Sequence, residues 1–314
     1  MNSTMTKNTR MKNKESVAKA LKELLGEECV LVDEPLKPHT SFRVGGPADF
    51  YLLPEHIEDL KNTLSFLKNE EIPFFIMGNG SNLLVSDDGF RGAVIRFGKN
   101  MESVRLDGLT IRAEAGASLA FVARTAAKAE LTGMEFAGGI PGSVGGACVM
   151  NAGAYGGEMK QVLKNVRCLN EHFEEEVVSG EDLQLGYRTS VFSKRPLIAL
   201  EAEMELQPGK GEDINAMMED FRQRRQEKQP LDLPSAGSTF KRPEGHFAGK
   251  LIMDAGLRGY RVGGASVSEK HCGFVVNDQG ATAADICSLI SDVRRIVLEQ
   301  SGILLEPEVR FLGF

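Results

Sequence analysis

Tryptophan is absent from this 314-residue chain, and aromatic residues make up only 7% of it. Cysteine is scarce: Cys29, Cys148, Cys168, Cys272 and Cys287. Their number is odd, their spacings are long, and no CxxC pair occurs. That excludes a disulfide scaffold, a thioredoxin-type pair and a cysteine zinc site. Five free thiols fit a reducing compartment, so a cytoplasmic location is expected. The five histidines are scattered without HExxH spacing, and no metal is expected. Positive charge is not in excess either. Lys+Arg is 37 against 44 Asp+Glu, for a net charge of −7 and a pI of about 5.5. A nucleic acid would meet an unfavourable overall field, so none is expected as a partner.

Long apolar helices are missing as well. The polar segment from Met1 to Lys14 carries Lys7, Arg10, Lys12 and Lys14, and no apolar h-region follows. It reads as a frayed leader before the first helix, not as a signal peptide. One stretch is uncharged and long enough to span a bilayer, residues 136–157. It contains eight glycines and Pro141. A helical glycine costs about 1 kcal/mol and an interior proline about 3 kcal/mol. A loop is therefore expected there, buried or covered by a ligand, and no membrane association.

What remains is an ordinary globular composition, 42% hydrophobic and 26% charged, with 34 glycines that cluster. The length suits two domains, possibly three. Apolar periodicity predicts helices over 15–25 (Val17, Leu21, Leu24 and Leu25 inward), 54–69, 118–130, 213–228 (Ile214, Met217, Met218 and Phe221 inward) and 282–300. Gly26 and Gly302 serve as stops, and Ser118 and Thr282 as N-caps. Strands are predicted over 73–77, 83–85, 93–97, 102–106, 110–115, 162–169, 175–178, 197–206, 273–276 and 304–311, with a hairpin turn at Asp107-Gly108. Strict βαβ alternation is lacking, so the fold class is α+β. The run Pro208-Gly-Lys-Gly211 marks a domain boundary.

Two glycine-rich loops carry the chemistry. Gly78-Asn-Gly-Ser-Asn82 follows a strand, and its backbone N–H groups could cradle a phosphate, although the same residues make a plain turn. The second loop is Gly139-Ile-Pro-Gly-Ser-Val-Gly-Gly146, continued by Asn151-Ala-Gly-Ala-Tyr-Gly-Gly157. Neither is GxxxxGK[ST] or GxGxxG, so a nucleotide would be held by something other than a P-loop or a Rossmann turn.

These blocks resemble one family. Thr40-Ser-Phe-Arg-Val-Gly-Gly46, both glycine loops, Gly186-Tyr-Arg-Thr-Ser190, Ser235-Ala-Gly-Ser-Thr-Phe-Lys-Arg-Pro243, Gly259-Tyr-Arg-Val-Gly-Gly-Ala265 and Leu305-Glu-Pro-Glu-Val309 occur in the order seen in the UDP-N-acetylenolpyruvoylglucosamine reductase (MurB) family. The Ser-Thr-Phe-Lys form after Gly237 is similar to its shorter, type II members. The resemblance implies a leader, helix and strand over 1–39, an FAD-binding domain of the PCMH (vanillyl-alcohol-oxidase) type over 40–208, and a substrate domain over 209–314.

It also implies a reaction in peptidoglycan and cell-wall synthesis. NADPH reduces non-covalently bound FAD, and the flavin N5 then passes hydride to the vinyl carbon of an enolpyruvyl ether. Arg188 is implied as the carboxylate grip, Glu308 as its partner, and Ser238 as the proton donor. From local sequence alone Arg188 reads as a surface arginine, Ser238 as a turn residue and Glu308 as a strand carboxylate sharing its face with Glu306.

FAD contacts are expected from Arg43, Gly78, Asn79, Gly80, Ser81, Asn82, Gly139, Ile140, Pro141, Gly142, Ser143, Gly145, Gly146, Asn151, Ala152 and Gly153. Within the basic run Arg222, Arg224, Arg225 and Lys228, the last two are expected at the substrate diphosphate, with Tyr187 nearby; a solvated helix face is the ordinary alternative. Ser266, Thr189 and Cys148 depart from the family pattern. An oxidase of the same fold and a catalytically dead binder are the competing functions. The presence of Arg188, Ser238 and Glu308 argues against both.

Overall fold

The computed structural model describes residues 2–314, with side chains from Lys14 onward apart from Asn100. Among the described residues seven α-helices occur: α1 (Asn2–Leu25), α2 (Ile57–Asn69), α3 (Leu119–Lys128), α4 (Val144–Met150), α5 (Gly211–Lys228), α6 (Ala248–Asp254) and α7 (Ala283–Ser301). Helix and strand are mixed without βαβ repetition, as α+β requires.

Two sheets build the N-terminal two thirds. In the first, Val30–Pro35 pairs antiparallel with Pro47–Leu52, which runs parallel to Phe90–Arg96, itself parallel to Phe74–Met77. The second is antiparallel throughout, in the order Glu175–Ser179, Leu163–Leu169, Ile198–Glu205, Thr110–Glu114, Val104–Asp107. The apolar faces of α2 (Leu60, Leu64, Leu67) and α3 (Leu119, Val122, Ala126) close over one continuous core with strand residues such as Phe50, Ile95, Ile111 and Val166. The i, i+4, i+7 spacing in α2 puts its leucines on one stripe.

A second core is built mainly from residues 236–309. Helix α7 contributes Ile286, Leu289, Ile290, Val293 and Val297, and Phe42, Val44 and Leu84 reach into it from the first half. Thr282 and Asp285 cap α7 reciprocally, and Gly302 ends it at φ +72°. The last strand, Arg310–Leu312, returns to pair parallel with Leu83–Val85, directly after the first glycine turn.

Several expectations are corrected. Helix α1 begins at Asn2, not after a leader ending at Lys14; no glycine or proline breaks the chain before Gly26. Leu24 is on its exposed side. Ser118 precedes α3 without a side-chain cap and bridges Ser143 instead. In α5, Met217 is exposed, whereas Ile214 is buried and Met218 packs on the first core.

The stretch 136–157 is not loop throughout. A seven-residue helix, α4, sits inside it, capped by Ser143 and ended by Asn151 at φ 43°. Two glycines are tolerated there because a Cβ on Gly145 would lie 3.0 Å from the Ala115 Cβ. The close approach offsets the helical cost of glycine, which forbids a long helix and not a short one. The final strand is three residues long, not eight, because Pro307 and Glu308 leave the ladder to meet Phe240 and Thr239.

Candidate active site

The first glycine turn lies between two strand ends and against the second loop. Asn79 Nδ2 donates to the Pro141 carbonyl over 3.1 Å, and the Ser41 N–H donates to the Gly80 carbonyl. A Cβ on Gly78 would fall 2.4 Å from Ser143 Oγ, and one on Gly80 2.0 Å from the His39 carbonyl oxygen. Only glycine lets these loops meet so closely, and Gly80 also takes φ +62°.

Together the loops line a cavity of about 960 Å³. That is at the top of the range of roughly 300–1,000 Å³ for ligand sites and suits a dinucleotide. Every expected FAD contact lines it except Gly139 and Asn151. Gly139 instead packs against Arg225, and Asn151 is a buried strut. The Asn151 amide donates to Glu158 and to the Gly186 carbonyl, and its oxygen accepts from the Lys160 N–H. It ties the glycine loop to the turn that carries Arg188.

Arg188 sits at the tip of that turn, closed by reciprocal backbone bonds between Gly186 and Thr189. Its φ of 53° is left-handed, as is that of Arg43 at 56° on the wall of the large cavity. Such conformations cost energy for a side chain with a Cβ and cluster at functional sites. Arg188 Nε lies 2.7 Å from Glu308 Oε1, in a charge contact rather than an aligned hydrogen bond. Its terminal nitrogens reach the Gly153 carbonyl at 3.4 Å. Burial raises the Glu308 carboxyl above its ordinary value, against the opposing pull of Arg188. The Glu308 backbone is fixed at both its polar groups: Asn82 Nδ2 donates to its carbonyl, and the Thr239 carbonyl accepts its N–H.

Ser238 precedes a fully buried residue. Thr239 donates its N–H to the Gly273 carbonyl, and its Oγ1 accepts from the Val275 N–H over 2.9 Å. Gly237, at φ +74°, turns the chain just before. Ser238 is therefore an exposed hydroxyl on an anchored loop.

A second cavity, of about 450 Å³, opens on the other side. Arg188, Ser238 and Glu308 line both cavities, so the sequence-predicted trio stands where the two spaces meet. Tyr187 lines the smaller one; its hydroxyl accepts the Arg242 N–H, and its ring lies 5.4 Å from the Arg188 guanidinium.

The basic run on α5 divides. Arg222 and Arg224 pair with Glu219 and Asp220 on their own helix and form the solvated face. Arg225 lines the large cavity, where desolvation works against its charge. Lys228 is exposed and lines neither cavity. Sequence reasoning missed Arg242, Lys250, Arg258, Lys270 and His271, which line the smaller cavity. They arrive singly from a turn, a short helix and a loop, so no charge run announces them.

The departures from the family pattern fall outside both cavities. Ser266 bonds Asp278 over 3.1 Å, Thr189 bonds Ser193 within its turn, and Cys148 is buried in the first core. All five cysteines are free. Among the described residues no cluster could hold a metal, and no helix is long and apolar enough to cross a membrane.

A glycine-walled cavity opening onto an arginine, a serine and a carboxylate has the form of a cofactor-binding enzyme site. The model of an FAD binding domain matches residues 48–172, and that of the UDP-N-acetylenolpyruvoylglucosamine reductase C-terminal domain matches residues 229–312. UDP-N-acetylenolpyruvoylglucosamine reductase of Caldanaerobacter subterraneus is 50% identical over 293 residues, covering 93% of this chain and 97% of that one. Its counterpart in Clostridioides difficile is 50% identical over 96% of this chain and 99% of that one. The crystal structure of UDP-N-acetylenolpyruvylglucosamine reductase (MurB) from Thermus caldophilus superposes with a TM-score of 0.78 at 36% identity, covering 90% of this chain and 98% of that one. The chain belongs to the UDP-N-acetylenolpyruvoylglucosamine reductase family. It is an FAD-dependent oxidoreductase.

Proposed function

We propose that this protein reduces UDP-N-acetylenolpyruvoylglucosamine to UDP-N-acetylmuramate for peptidoglycan synthesis in the cytoplasm, with NADPH as hydride source. One observation carries the reading: the trio Arg188, Ser238 and Glu308 lines both cavities at their junction. The larger would take FAD, held by the turns 78–82 and 140–146 with Arg43. The smaller would take the enolpyruvyl end of the substrate. When bound, FAD supplies hydride transfer from NADPH to the terminal vinyl carbon.

Addition at that carbon leaves negative charge on the adjacent carbon and its carboxylate. Arg188, held in a strained turn and already charged, grips the carboxylate. Glu308 orients Arg188 through their 2.7 Å contact. Burial raises its proton affinity, against the pull of Arg188. Ser238 Oγ delivers the proton to the carbon beside the carboxylate. A serine hydroxyl is a weak acid, so this role needs a strongly basic carbon and the placement that the Thr239 anchor supplies. Tyr187, on the wall of the smaller cavity, is assigned to the nucleotide sugar; Arg225 lines the larger cavity and Lys228 neither, so they would meet the diphosphate only where it extends beyond the smaller cavity.

The division at 208/209 is part of the same proposal, with residues 40–208 holding FAD and 209–314 the substrate. Helix α5 then opens the second unit while packing back on the first. Phe221 stacks on Tyr155 at 4.6 Å, and a Cβ on Gly138 would meet the Met218 methyl at 2.8 Å.

The test is spectroscopic. Under anaerobic conditions NADPH should bleach the yellow protein, and the enolpyruvyl substrate should restore the colour. Recolouring by oxygen but not by the substrate would make the protein an oxidase. Failure to bleach would make it a binder.

A further inference from the structure

Asn277 lines neither cavity, yet its bonds reach two parts of the wall of the larger one. It ends the strand Val275–Asn277 and is buried. Its backbone N–H donates to the Pro234 carbonyl over 2.9 Å. Its Nδ2 donates to the Phe42 carbonyl over 3.0 Å, and its Oδ1 accepts the Ala281 N–H over 2.7 Å. Pro234 lines the larger cavity and opens the segment that leads to Ser238. The Phe42 ring is fully buried in the second core, and its carbonyl belongs to the peptide plane that joins it to Arg43. Arg43 lines the larger cavity with a left-handed φ of 56°. Its turn is closed by its own N–H on the Thr40 carbonyl and tied to the first glycine turn by the Ser41 N–H on the Gly80 carbonyl.

We propose that Asn277 is a positioning residue for the cofactor: by gripping the Phe42 carbonyl it holds Arg43 in its left-handed turn on the cavity wall. A residue with a Cβ keeps such a conformation only where its surroundings over-determine it. Gly80 fixes one side of the turn, and the Asn277 amide fixes the other. The chemistry asks for an asparagine. One group must donate to a buried carbonyl while the other accepts an N–H; a carboxylate lacks the donor, and an aliphatic side chain lacks both. The assignment rests on the reading that Arg43 contacts FAD, and its test separates the two.

The experiment follows FAD release from diluted holoenzyme by flavin fluorescence. Asn277→Ala should release FAD about tenfold faster than wild type, the size expected for one lost buried hydrogen bond. Asp87→Ala supplies the contrast. Asp87 accepts the Ala283 and Ala284 N–H groups over 2.8 and 2.9 Å, so it joins the first half of the chain to the start of α7 without touching Phe42. That variant should lower the unfolding midpoint and leave FAD release within about twofold of wild type. Arg43→Ala should itself release FAD at least tenfold faster, and adding Asn277→Ala to it should change release less than twofold further, because residues that act through one another are not additive. Asn277→Ser, whose hydroxyl can still accept the Ala281 N–H but falls short of the Phe42 carbonyl, is held to the same outcomes should the alanine variant not fold. Wild-type release in the Asn277 variants would make the residue purely structural and overturn the proposal. An equal factor in the wild-type and Arg43→Ala backgrounds, or release in Asp87→Ala as fast as in Asn277→Ala, would overturn the route through Arg43. Wild-type release in Arg43→Ala would remove Arg43 from the FAD site and the proposal with it. Bleaching by NADPH and recolouring by substrate in the wild-type protein report separately on the reductase reading.

Discussion

Ser238→Ala separates the two halves of the proposed reaction. Ser238 Oγ makes no hydrogen bond among the described residues, and Ser238 is exposed at the cavity junction, so its removal should leave stability within about 0.5 kcal/mol of wild type. The loop is held by Thr239, whose backbone and hydroxyl both stay bonded in the variant. Flavin bleaching by NADPH needs no proton at the substrate carbon and should keep its rate. Recolouring by the enolpyruvyl substrate should slow at least a hundredfold, the usual size for a positioned proton donor and about 2.7 kcal/mol in barrier. Ser238→Cys should recover part of this, because a thiol is a stronger acid. Stopped-flow absorbance reads the two phases separately.

Thr239→Val gives the necessary contrast. It strands the buried Val275 N–H, at a cost of about 1–3 kcal/mol in stability. It keeps the Ser238 hydroxyl. Recolouring should fall less than in Ser238→Ala, with an unfolding midpoint that drops instead. Equal slowing of bleaching and recolouring in Ser238→Ala would refute the proton-donor role and leave the loop a general binding element.

Acid precipitation should release the flavin into the supernatant; flavin in the pellet would mean a covalent bond. Lys228→Ala should raise KM with little change in kcat, and an unchanged KM would remove Lys228 from the diphosphate site. Asn151→Ala loses three buried side-chain bonds and leaves alanine in a left-handed backbone, so urea unfolding should show a loss of about 3 kcal/mol. Glu308 binds its proton more tightly when folded, so its contribution to stability is full below about pH 4.5 and is lost as pH rises through the raised value. Relative to Glu308→Gln, wild type should lose stability over that window, and parallel curves would contradict the shift.

The features legible in the sequence share a property: each is local. The stop at Gly26, the cap at Thr282 and the hairpin at Asp107-Gly108 depend on residues a few positions apart, and all three stand in the structure. The glycine loops were visible because close backbone approach has few other solutions. The reason for Gly78 was not visible, since the Ser143 hydroxyl that excludes a Cβ comes from 65 positions away. The eight-residue final strand failed for the same cause. Its pattern was apolar enough, but Phe240 and Thr239 claim Pro307 and Glu308 before the ladder begins.

That early departure also decides between two carboxylates that the pattern could not separate. Under strand alternation Glu306 and Glu308 share a face and would meet the same surroundings. With the strand starting at Arg310, Glu306 stays exposed and pairs with Lys241 at 3.1 Å, while Glu308 turns in to Arg188. Asn82 completes the arrangement. Its side chain holds the Glu308 carbonyl and its own carbonyl accepts the Arg310 N–H, so one residue of the first glycine turn sets both the carboxylate and the start of the last strand. The first glycine turn and the segment carrying Glu308 are therefore a single hydrogen-bonded unit drawn from residues 226 positions apart. A disturbance of the turn at Asn82 should reach Glu308 without any change at position 308 itself.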